Sequence, residues 1–174
     1  MRSDRESLRL VSNTQDTEWF DRKGPRGNSR AAKKTDKGLR FDCTLCGGCC
    51  TGAEGFVNFT DEEAEAMADD IGVPLGEFLK TYTHDTPAGR SLTERKTDFG
   101  YDCVFLDREK IPGKAVCGVY KSRPVQCRTW PFWASNLSSE HAWRGAAVGC
   151  PGIDQGQQII HPSEIRIQRA KVPM

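Results

Sequence analysis

Eight cysteines, all after residue 42 of a 174-residue chain, constrain this sequence more than anything else in it. Cys43, Cys46, Cys49 and Cys50 form a C-x2-C-x2-C-C run. Cys103, Cys117, Cys127 and Cys150 follow at wide intervals. Eight sulfurs make two sets of four, the number taken by tetrahedral zinc or by a four-iron cluster. The C-x2-C spacing has a reason in reach, because a tight turn of two residues lets both sulfurs meet one ion. Gly47 and Gly48 sit inside that turn, where positive φ is needed and where amides must point at sulfur. Cys49 and Cys50 are neighbours whose side chains leave an extended chain on opposite sides, so they suit different ions, or one ion and a bystander.

The compartment decides between metal and disulfide. No apolar segment behind the charged start Met1-Arg2-Ser3-Asp4-Arg5-Glu6 has the length of a signal peptide, and no run of about 20 apolar residues exists. The expectation is a cytoplasmic protein, where thiols stay reduced and clustered cysteines read as ligands. Thioredoxin-like redox chemistry fits less well, since no βαβ pattern surrounds either C-x2-C. The net charge of +1 argues against nucleic acid as a partner, and the absence of a spanning segment argues against a membrane. Residues 1–40 are the exception, with eleven Lys/Arg against six Asp/Glu and few apolar residues. Residues 1–38 therefore read as a basic disordered tail, residues 39–153 as the cysteine domain, and residues 154–174 as a C-terminal tail.

Local patterns give the domain an α+β character. Phe56-Val57-Asn58-Phe59 reads as a strand. Thr60-Asp61-Glu62-Glu63 forms a capping box, followed by Ala64, Met67, Ala68 and Ile71 on one helical face and by Gly72 as a stop. Pro74 opens a second helix carrying Leu75, Phe78, Leu79 and Tyr82, so a helical hairpin is expected. Asp102 to Asp107 and Ala115 to Tyr120 read as the arms of one antiparallel β-hairpin around the turn Ile111-Pro112-Gly113-Lys114, one cysteine on each arm. The expected fold is a small α+β domain, helical hairpin and β-hairpin, organised around cysteine-ligated metal.

Other chemistry is thinner. Lys121, Arg123 and Arg128 flank Cys117 and Cys127 and are placed to offset thiolate charge. His84, His141 and His161 share no ligand spacing and read as exposed or capping. Glu65, Asp69 and Asp70 read as a solvated acidic face. Trp130, Phe132, Trp133 and Trp143 read as packing that keeps the sulfur site dry. Neither a P-loop, a GxGxxG, an HExxH nor a nucleophile elbow occurs, and no residue is singled out as catalytic.

The cysteine blocks resemble the YkgJ-type cysteine-cluster (CxxCxxCC) family of bacterial proteins over residues 39–153. Cys43-x2-Cys46-x2-Cys49-Cys50 matches its signature, and Asp102-Cys103-Val104-Phe105-Leu106 looks like its second block. Cys117-Gly118-Val119-Tyr120, Arg123-Pro124 and Cys127-Arg128-Thr129-Trp130-Pro131-Phe132 look like its third, and Cys150-Pro151-Gly152 like its last. The resemblance implies zinc or iron chelation through the cysteines. A similar cysteine pattern in flagellin lysine methylases, where an iron–sulfur cluster is implicated, adds a redox or methylation-related alternative. Three classes of function follow: a structural or storage metal protein, an iron–sulfur protein, and a metallochaperone that hands its ion to a protein partner.

Overall fold

The computed structural model describes residues 18–22 and 37–172. Its helices are α1 (Trp19–Arg22), α2 (Asp61–Ile71), α3 (Leu75–Thr81), α4 (Val125–Arg128), α5 (Ala134–Leu137), α6 (Glu140–Gly149) and α7 (Pro162–Ala170). Its strands are β1 (Thr83–Thr86), β2 (Gly89–Leu92), β3 (Glu94–Thr97), β4 (Gly100–Cys103), β5 (Leu106–Asp107) and β6 (Val116–Cys117). The chain is α+β, with helices and small antiparallel strand pairs. Among the described residues no helix is long and apolar enough to cross a membrane.

α2 begins and ends as its sequence dictates. Thr60 Oγ1 accepts from the Glu63 amide at 3.2 Å, and the Thr60 amide donates to the Glu63 carboxylate at 3.1 Å. Gly72 adopts φ 73° and turns its N–H back onto the Ala68 and Asp69 carbonyls. The buried stripe Ala64, Met67 and Ala68 packs with Phe78 of α3, which completes the helical hairpin.

The strands depart from expectation. Phe56–Phe59 is no strand: it makes one isolated bridge, Asn58 to Ser91. The Gln126 side chain takes the ladder's place, accepting from the Asn58 amide and donating to the Phe56 carbonyl, each at 3.0 Å. The expected single hairpin is two. β4 pairs backward with β3, setting Cys103 against Glu94, and only β5 pairs forward with β6, setting Leu106 against Cys117. The break falls at Val104-Phe105, where Phe105 stacks on Tyr82 at 5.2 Å and Phe78 at 6.1 Å. The third pair, β1–β2, lies in a stretch for which the sequence suggested no strand.

Two apolar cores result. The first joins Phe20, Leu39, Phe132, Leu137, Trp143, Cys150, Ile153 and Ile165. The second joins the buried face of the α2–α3 hairpin to Leu92, Phe105 and Val119, with Cys103 and Cys117 packed against it. The first core draws in segments assigned above to tails. Phe20 of α1 is fully buried, and so is Ile165 of α7. Arg166 ties the two helices through Glu18 at 2.9 Å and through Asp21, and Arg169 adds a second pair to Glu18. The folded unit therefore includes residues on both sides of 39–153, because one aromatic and one aliphatic side chain are enough to seat each short helix. The rest of the expected basic tail, residues 1–17 and 23–36, lies outside the described residues, as do residues 173–174.

Candidate metal centre

The C-x2-C-x2-C-C run hangs between three fixed points. Upstream, Leu39 and Phe41 bridge to Ile160 and Ile153, and the Asp42 amide donates to the Gly152 carbonyl at 3.1 Å. This strap brings Cys43 to the Cys150 end of the first core. In the middle, the Ala115 amide donates to the Leu45 carbonyl at 2.8 Å, so the loop lies on the β5–β6 hairpin. Downstream, the Tyr101 amide donates to the Gly52 carbonyl at 2.8 Å and fastens the run to β4, the strand that ends in Cys103.

Two glycines allow that close packing. Gly47 has φ 78°, and a Cβ there would press on the Ala115 methyl at 2.7 Å. A Cβ on Gly48 would fall on the Gly149 carbonyl, so the run sits directly against the end of α6 that delivers Cys150.

All eight cysteines line one cavity of about 60 Å³ between the two cores. Cys43, Cys46 and Cys49 lie on its exposed side, and Cys150 is buried. Cys50, Cys103, Cys117 and Cys127 are partly covered. The remaining lining is mostly apolar, from Phe41, Leu45, Leu92, Leu106, Val119 and Trp130. The sulfurs ring the wall: among the described residues, no group of three or more Cys, His, Asp or Glu side chains converges on one point as a finished ion site.

The sulfurs already receive N–H groups. The Gly48 amide donates to Cys46 Sγ at 3.4 Å, and the Trp130 indole donates to Cys150 Sγ at 3.4 Å. Cys49 and Cys50 stand 3.5 Å apart, sulfur to sulfur. That contact draws the Cys49 thiol down and pushes Cys50 up, because the neighbouring thiol donates to the one that ionises first. Burial raises Cys103 to about 11 and also raises Cys117, Cys127 and Cys150, and neighbouring sulfurs add repulsion. A buried set of thiols resists ionising until a cation compensates it, and thiolate is the form that binds metal.

The donor chemistry is selective. Among the described residues, no aspartate, glutamate or histidine lines the cavity. A donor set dominated by sulfur suits zinc, iron–sulfur units and other thiophilic ions, and suits calcium or magnesium poorly. His84, in β1, and His141 are exposed, and His161 caps α7. Of the three basic residues expected beside the sulfurs, Arg123 lines the cavity. Arg128 pairs with Glu63 at 3.2 Å, and Lys121 lies with Asp69 and Asp70 along a separate hollow. Of the aromatics, Trp130 forms wall and donor, Trp133 packs edge-on against it at 4.8 Å, and Phe132 stacks on Trp143 at 5.7 Å inside the first core.

One supporting network escaped the sequence reading. Asp102 is 1% exposed and accepts from Arg108 Nε and NH2, both at 2.9 Å, and from the Thr51 hydroxyl. Thr51 follows Cys50 and Asp102 precedes Cys103, so one carboxylate locks two cysteines in register. Opposite charges six positions apart give no periodic signal, and the third partner lies far upstream.

A family model described as "CxxCxxCC: Putative zinc- or iron-chelating domain" matches residues 42–151. No solved structure matches the chain.

Proposed function

The chain belongs to the CxxCxxCC family, and on that premise we propose that its eight cysteines bind zinc or iron inside the cavity between the two cores. The observation that carries the reading is the meeting of eight sulfurs from five separate segments around one small cavity, with no carboxylate among the described residues that line it. Cys43, Cys46, Cys49, Cys50, Cys103, Cys117, Cys127 and Cys150 are the candidate ligands. Bound metal supplies charge neutralisation and cross-linking, and its binding free energy adds to folding free energy. The chain's own part is to present thiols, exclude water with Trp130 and Leu106, and hold the sulfurs through the Gly48 and Trp130 N–H groups.

Those two N–H···S bonds also favour a second reading, an iron–sulfur cluster, because hydrogen bonds to sulfur and dry walls tune such clusters. Reduced thiols, as kept in the cytoplasm, are required by either reading.

Elemental mass spectrometry and an absorbance spectrum on protein purified without oxygen separate them. One or two zinc ions per chain with no visible absorbance identify a zinc protein. Iron with matching sulfide and broad visible absorbance identifies a cluster. Protein that arrives metal-free and takes up neither added zinc nor added ferrous iron overturns the proposal. Serine substitutions at Cys43 and at Cys127 then sort ligands, since each is expected to lower metal content.

A further inference from the structure

Among the described residues that line the cavity, Arg123 is the one with a cationic side chain. Its Nε donates to the Tyr120 carbonyl at 2.9 Å, and its guanidinium lies 3.7 Å from the centre of the Tyr120 ring. These contacts fix the group in place without neutralising it. Among the described residues, Arg123 forms no ion pair with a carboxylate, whereas Arg108 is spent on Asp102. All eight cysteines line the same cavity as Arg123.

The charge balance says what such a cation is for. Four thiolates on a divalent ion leave two negative charges in an apolar cavity, and a buried charge needs a partner. We infer that Arg123 is the counter-charge of the polythiolate centre: a positioning residue, not a ligand, whose fixed positive charge raises the affinity of the sulfurs for metal. The inference rests on the metal-binding reading above and adds to it the residue that sets affinity.

The test compares wild type, Arg123→Gln and Arg123→Lys by competition for zinc against a chromophoric chelator at low and high salt. Cobalt spectra and the melting curves of the metal-free proteins are recorded in parallel. The glutamine variant is expected to bind zinc at least about tenfold more weakly, the scale on which partners of metal ligands act. The lysine variant should recover most of that loss, since it restores charge while losing the planar stack. The gap between wild type and Arg123→Gln should narrow as salt screens the charge. Equal affinity in all three, or a loss that lysine does not rescue and salt does not change, overturns the inference and leaves metal binding intact. A cobalt spectrum altered in Arg123→Gln and still altered in Arg123→Lys also overturns it, because the residue then shapes the ligands. Wild type that binds no metal overturns both readings at once.

Discussion

The two cores are built by opposite means. The second is assembled from near neighbours: α2, α3 and the short strand pairs follow one another along the chain and close on Phe78, Phe105 and Val119. The first is assembled from the extremes, with Phe20 and Ile165 meeting Phe132 and Trp143 across most of the sequence. The cysteine cavity lies between them, with Cys150 a member of the first core and Cys103 and Cys117 packed against the second. The lesson is a division of labour. Local patterning can support the second core alone, while the first depends on tertiary closure, and sulfur–metal bonds would be the strongest link joining the two.

The largest expected effect is therefore metal removal. A chelator that strips the protein should cost on the order of 10 kcal/mol per thiolate-bound zinc. Calorimetry should then show unfolding shifted far down in temperature or split into two transitions. Hydrogen exchange should show α6 and α7 losing protection before α2 does. An unchanged melting curve in fully stripped protein would erase the asymmetry between the cores.

Next come the core side chains. Trp143→Ala and Phe20→Ala should each cost about 3–5 kcal/mol, as large-to-small changes at buried aromatics do. Chemical denaturation measures the loss. Exchange protection should fall across α6 and α7 with α2 spared. If α2 opens equally, the two cores form one cooperative unit and the comparison fails.

A third effect sits on the link between cavity and second core. Asp102→Asn leaves Arg108 unpaired, at a cost of about 2–3 kcal/mol. That is below the full cost for a buried pair because Arg108 keeps 25% of its side-chain surface. The same variant should bind zinc more weakly, since the tie between Cys50 and Cys103 is loosened. A stability loss with unaltered affinity would confine Asp102 to the second core. The smallest effect is Thr60→Ala, about 1 kcal/mol for a lost helix cap. It should appear in thermal melts and leave zinc affinity unchanged.

The same contrast explains what could be read from the sequence. α2 was legible to the residue because its capping box, apolar stripe and Gly72 stop lie within a dozen positions. The β5–β6 return was legible from Pro112-Gly113 and the flanking apolar residues. β1 and β3 were not, since Thr83-His84-Asp85-Thr86 and Glu94-Arg95-Lys96-Thr97 are polar strands with no alternating apolar face. α1 and α7 each contribute one fully buried anchor to the first core, Phe20 and Ile165, too few to make a period, and their ion pairs couple residues far apart in sequence. The cysteines marked a candidate site by their spacing, and all eight line one cavity. Its supports, Asp102, Arg108 and Thr51, became visible only once β4 was seen to run back along β3.

The placement of Gly48 against the Gly149 carbonyl fixes an order in time. Chains are made from the N-terminus, so the four sulfurs of the first run leave the ribosome well before the end of α6 that must press on them. Throughout that interval the run lacks the wall that α6 and Cys150 supply. The cavity can be completed only once α6 has been made and Cys150 takes its buried place in the first core.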